Sequence, residues 1–128
     1  MKKILGFSFW SNAFFLAPLL FSMSYRMWAY SVVMGLALVV SLLFHFKKDI
    51  KIGYLDVLIS SMLMISNLIL LFKGHWVTPY SLVAIAFAIV AIVFYSRQFK
   101  YGYGFNHGLW HFFSAGTSLF CIATFMGL

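Results

Sequence analysis

Residues 28–46 read WAYSVVMGLALVVSLLFHF, nineteen positions without a charged side chain before Lys47. At the helical rise of about 1.5 Å per residue this run measures roughly 28 Å, close to the thickness of a bilayer's hydrocarbon core. A single run of this kind also suits a buried core helix, so the rest of the chain decides between the two. With 64% hydrophobic residues, 21% aromatic and only 9% charged among 128, there is too little polar surface to coat a soluble globule. Four more runs of spanning length lie at about 6–23, 52–72, 78–95 and 105–127. The expected fold is all-α: a polytopic bundle of five transmembrane helices forming one domain over residues 1–128, with no room for a soluble module.

The connections between runs are short, so consecutive helices are expected to be antiparallel neighbours. The start, MKKILGFSFW, has the lysines and apolar run of a secretory signal, but Asn12 and Pro18 interrupt the run. It is read as a retained first membrane helix. The single cysteine, Cys121, excludes an intrachain disulfide or a Cys-rich metal site and is expected to be a small buried apolar side chain.

The net charge of +7 falls in clusters between the apolar runs, which is a topology signal and not a nucleic-acid patch. Lys2, Lys3, Lys47, Lys48, Lys51, Arg97 and Lys100 belong to one side, and only Arg26 and Lys73 to the other. Seven against two predicts a cytoplasmic N-terminus and an external C-terminus. Strict alternation of direction then brings Asn12, His45, Asp56 and His107 to the cytoplasmic end of their spans.

Residues 101–118, YGYGFNHGLWHFFSAGTS, carry His107 and His111 four apart. Tyr103, His107, His111, Ser114 and Ser118 trace one stripe along one helical face. Ionisable groups inside a span are costly and usually face the bundle interior, so the stripe is expected to point inward. Two histidines at i and i+4 can bind one metal ion, and His45 supplies a third nitrogen. Three histidines leave a fourth tetrahedral position for water, the arrangement of catalytic zinc. Asp56 is the only carboxylate inside an apolar run, since the chain has no glutamate and Asp49 lies in a basic connection. It is the one candidate to orient or deprotonate such a water. Ser41, one turn from His45, is a candidate to support Asp56 or hold an oxyanion, and Asn12 a supporting partner.

Each element also has a plainer reading. The His-x-x-x-His pair and Asn12 can hydrogen-bond between helices, Ser41 can bond its own helix carbonyl, and Asp56 can pair with a loop lysine or relay protons. His75, beside Trp76 on the other side, reads as interfacial, and Tyr101, Tyr103 and Trp110 as anchoring or packing residues. The fourth span shows no polar face and reads as a lipid-facing brace. Haem fits less well, because His107 and His111 on one face cannot take opposite axial positions.

Ser41 and His45, then Asp56 at the start of the next helix, then His107 and His111 in the last, resemble the CREST superfamily of membrane hydrolases, which includes alkaline ceramidases, progestin and adipoQ receptors and haemolysin-III-like proteins. The segment HGLWHFFSAGTSLF looks like the last helix of alkaline ceramidases, and Ser11-Asn12 resembles a Ser-Asn pair in their first. The resemblance implies Zn²⁺ held by His45, His107 and His111, with Asp56 and Ser41 near a zinc-bound water, and hydrolysis of an amide bond in a membrane lipid such as ceramide. Family members typically have seven helices, with three where this chain has one between the Asp56 helix and the last. Their acidic calcium-binding segment has no counterpart here, where Lys2 and Lys3 stand, so no calcium site is expected.

The expected function is therefore a zinc-dependent hydrolase of a lipid amide, or an ester, with its site near the cytoplasmic side. Two alternatives remain: a non-catalytic protein in which zinc clamps helices together, and a proton- or ion-conducting bundle.

Overall fold

A computed structural model describes residues 6–128 of the chain. Among these the fold is wholly helical, with five helices long and apolar enough to cross a membrane: α1 (Phe7–Ser24), α2 (Trp28–Lys47), α3 (Ile50–Lys73), α4 (Tyr80–Arg97) and α5 (Tyr103–Met126). Lys2 and Lys3, two of the seven basic residues on the expected cytoplasmic side, lie outside the described residues.

Local chemistry explains where these helices bend and stop. Pro18 has no N–H to offer the carbonyl four residues back and its ring crowds that turn. Just upstream, Ser11–Phe15 tightens into a 3₁₀ turn that buries Ser11, Asn12 and Phe15. Only two residues join α2 to α3: Lys48 takes a left-handed conformation (φ 54°), and the Asp49 carboxylate caps α3 by accepting the Lys51 N–H at 2.8 Å. That cap starts α3 two residues earlier than hydropathy alone suggests. Gly127, at φ 69°, closes α5.

Four helices form a ring in which α1 packs on α2, α2 on α3, α3 on α5 and α5 on α1. This sets α2 and α5 diagonally across the core. The α4 helix stands outside the ring, with its one extended contact against α5. Ala84 and Ala91 make that face narrow, and the Phe87 ring lies where a side chain at Gly116 would be, 2.3 Å from its Cβ position. The expectation that consecutive helices are neighbours therefore fails at one place: α3 and α4 make no extended contact. The 74–79 connection runs across the end of α5 instead, with Gly74 pressed against the Thr124 carbonyl. A gap is left between α3 and α4.

Association of helices in lipid relies on close packing and interhelical hydrogen bonds, since the tails are as apolar as leucine. On α2, Val32, Leu36, Val39 and Leu43 form the exposed stripe, and Met34, Leu38, Ser41 and His45 form the buried one. Away from the histidines, two polar clusters tie the ring together. Ser22 and Ser31 meet at 2.7 Å between α1 and α2, and Tyr30 donates to Asn67 Oδ1 at 2.6 Å while Asn67 Nδ2 donates to Ser118 at 3.0 Å, linking α2, α3 and α5. Cys121 is fully buried in this core.

Candidate metal centre

His45, on the last turn of α2, reaches across the diagonal to His107 and His111 on the first turns of α5. The three are buried, and one ring nitrogen from each lies within 4.8 Å of the others. His45 Nε2 and His107 Nε2 are 2.9 Å apart, and the ring centroids are separated by 4.7 Å (His45–His107), 4.4 Å (His107–His111) and 5.4 Å (His45–His111). Of the expected stripe on α5, His107, His111 and Ser118 are buried, Ser114 is half-buried, and Tyr103, at the helix start, is exposed. Gly108 makes the α1–α5 approach possible, because the Phe7 ring occupies the place a side chain there would take.

The hydrogen bonds around the rings decide which nitrogens are bare. The Ser11 hydroxyl lies 3.1 Å from the Ser8 carbonyl, which can only accept, and 2.7 Å from His111 Nδ1. With its proton on Ser8, Ser11 accepts the Nδ1–H of His111, so His111 Nε2 carries a lone pair and no hydrogen. That atom is buried and has no partner. His107 Nδ1 likewise bonds the Gln98 carbonyl oxygen, an acceptor, which leaves its Nε2 bare. Two of three rings are thus held in the tautomer that a metal ion needs, by the same outer partners that orient metal-bound histidines generally. Phe15 and Tyr103 hold the planes: Phe15 meets His111 edge-on, and Tyr103 stacks on His107 at 4.5 Å and 19°.

A metal ion fits this donor set. Nitrogens on one zinc at about 2.0–2.1 Å lie roughly 3.3 Å apart at the tetrahedral angle. The 2.9 Å pair has to open slightly and any separation near the 4.8 Å limit to close, both within reach of side-chain rotation. A lone pair buried without a proton donor is otherwise an uncompensated cost.

Because α3 and α4 stay apart, a cleft of about 730 Å³ runs between them to the histidines. His45, His107 and Asp56 share its lining, with Tyr54, Tyr95 and Trp110 among the walls. Asp56 is buried, and its Oδ1 has no partner. Ser41 is buried on a different, inner cavity of about 80 Å³, where His111 and Ser60 are its neighbours in the lining. Ser60, Met64, Ile92 and Trp110 line both spaces and form the partition. Asn12 is fully buried beside Ser11, and its amide nitrogen bonds the Ser8 and Phe9 carbonyls. His75 sits apart in the 74–79 turn, and Tyr101 is exposed beneath Arg97.

Among the described residues, three buried side-chain atoms lack a partner: Asn12 Oδ1, Asp56 Oδ1 and His111 Nε2. All three belong to residues singled out from the sequence. The two tautomer-setting residues, Ser11 and Gln98, are structural additions. Gln98 is the only glutamine in the chain and sits buried amid Arg97 and Lys100, a placement that marks it as unusual. Ser11 entered the sequence reading only as half of a Ser-Asn pair. No family model matches the chain, and neither a curated protein nor a solved structure gives a significant match.

Proposed function

We propose that the protein is an integral membrane zinc hydrolase that cleaves an amide, or less readily an ester, of a lipid reaching the site laterally, as the likeness to the CREST hydrolases implies. The observation that carries this reading is the convergence of three buried histidines, two with Nε2 left bare, of which His45 and His107 line a cleft open between α3 and α4 and shared with the chain's only embedded carboxylate. The basic residues favour a cytoplasmic N-terminus, which puts the centre in the cytoplasmic half of the membrane.

His45, His107 and His111 hold the ion. When bound, zinc supplies Lewis acidity toward the scissile carbonyl and brings the pKa of its water toward about 7. Asp56 takes the proton of the attacking water and returns it to the leaving amine as the C–N bond breaks and the new C–O bond forms. Ser41 donates to the developing oxyanion from the inner cavity. Ser11 and Gln98 keep the two α5 rings from turning their protons inward. The walls of the cleft accept the acyl chain and exclude water from it.

The test is purified protein assayed for bound zinc and for hydrolysis of ceramides, N-acyl amino lipids and lipid esters, with Asp56→Asn alongside. Turnover lost in Asp56→Asn while zinc is retained supports the enzyme. Zinc-loaded wild type that cleaves none of these lipids leaves a helix-clamping metal instead. Zinc-free protein that moves protons in liposomes leaves a conducting bundle.

A further inference from the structure

The hydrolase reading gives no role to the one cation that lines the cleft among the described residues. Among the described residues, Lys47, Lys48, Lys51, Arg97 and Lys100 flank this end of the bundle, and of these only Lys48 lines the cleft with His45 and Asp56. The Arg97 guanidinium and the Lys100 ammonium instead lie over the Tyr101 ring, at 4.7 and 5.5 Å. Lys48 is placed by the backbone: it is the left-handed C-cap of α2, three residues beyond His45, and its N–H bonds the Phe44 carbonyl at 2.7 Å. Much of the wall around it is apolar or aromatic, including Phe44, Ile50 and Val57, so its charge has little local competition.

The cleft's one acid is at a different depth. Asp56 follows the Asp49 cap by seven helical residues, about 10 Å along α3, whereas Lys48 adjoins that cap. A ligand can therefore meet an ammonium at the rim and a carboxyl further in, beside the histidines.

We propose that Lys48 binds an anionic group on the amine side of the scissile amide, so that the substrates are anionic lipid amides, with N-acyl amino acids the simplest case. The inference rests on the hydrolase reading above. The acyl chain extends toward Met64 and Ile92, the carbonyl lies beside His45 and His107, and the anion, a few bonds beyond the nitrogen, meets Lys48. Neutral amides lack the partner for this ammonium.

The experiment compares N-oleoylglycine with N-oleoylethanolamine, which share an acyl chain and differ in headgroup charge, on zinc-loaded protein in neutral detergent. A charge-assisted contact predicts a preference of about tenfold in kcat/KM for the glycine lipid. Lys48→Gln is expected to abolish that preference, and Lys51→Gln, outside the cleft, to leave it intact. A preference unchanged in Lys48→Gln, or reduced as much by Lys51→Gln, overturns the proposal in favour of general surface attraction. If neither lipid is cleaved, the hydrolase reading is judged by the wider lipid panel above, and competition against a fluorescent oleoyl probe decides on the anion site. Tighter N-oleoylglycine binding that Lys48→Gln removes keeps the anion site, and equal binding of the two lipids overturns it.

Discussion

The two ends of α5 both carry buried polar groups that bridge helices, and they differ in whether those groups are satisfied. Toward the C-terminal half, Tyr30, Asn67 and Ser118 form a closed chain across α2, α3 and α5 in which no buried atom lacks a partner. At the histidine end, His111 Nε2, Asp56 Oδ1 and Asn12 Oδ1 are all left over. A satisfied network needs no further explanation than holding helices together in lipid. Leftover buried lone pairs cost stability, and they make sense when something else completes them. The contrast separates a staple from a site within one helix.

The strongest way to break this contrast is to remove a ligand. His45→Ala takes away the only nitrogen supplied by α2, and bound zinc is expected to fall from about one per chain to background by elemental analysis. Zinc retained at full occupancy in His45→Ala means that α2 does not reach the centre. Asp56→Asn is next in size: kcat on a cleaved lipid is expected to drop by about 10²–10⁴ with zinc content unchanged. Loss of zinc together with activity in that variant would make Asp56 a ligand and not a base.

Smaller effects sharpen the tautomer argument. Ser11→Ala and Gln98→Leu each remove the acceptor that fixes a bare Nε2, and zinc affinity in a chelator competition is expected to weaken by about 10–100-fold in each. Asn12 adjoins Ser11 in the same turn but bonds the Ser8 and Phe9 carbonyls, so Asn12→Ala is expected to weaken zinc less than Ser11→Ala does. Equal losses in the two would mean that the first helix acts through its packing and not through the Ser11 hydroxyl.

Much of the arrangement was legible in the sequence because its physics is periodic. Five apolar runs give five helices, and alternation of direction brings His45, His107 and His111 to one end without any knowledge of packing. What escaped is what periodicity does not encode. Gln98 follows the last helical residue of α4, in a connection where burial is not expected. Ser11 and Asn12 were separable only once the 3₁₀ turn before Pro18 showed which side chain faces His111. Loop length predicted that α3 and α4 are neighbours, but the 74–79 connection crosses the end of α5, and the cleft owes its existence to that detour. The Tyr30–Asn67–Ser118 chain was missed because the positions one turn either side of Asn67 (Leu63, Met64, Leu70 and Leu71) are all apolar, so no polar stripe marks it.

That chain supplies the control at the other end of the contrast, and the smallest effect. Asn67→Ala deletes the middle of the staple, leaving the Tyr30 hydroxyl without its acceptor and Ser118 without its donor. Interhelical hydrogen bonds in membranes contribute about 0.6 kcal/mol on average and up to about 1.7, so losing two is expected to cost about 1–2 kcal/mol in unfolding from detergent. Asn67 also lines the inner cavity beside His111, but nothing bonds it to the ring. Zinc affinity is therefore expected to stay within about twofold of wild type, well short of the Ser11→Ala loss. If Asn67→Ala releases zinc as readily as Ser11→Ala while costing the same stability, the two ends of α5 are one coupled network. The distinction between a closed staple and an open site would then have to be abandoned.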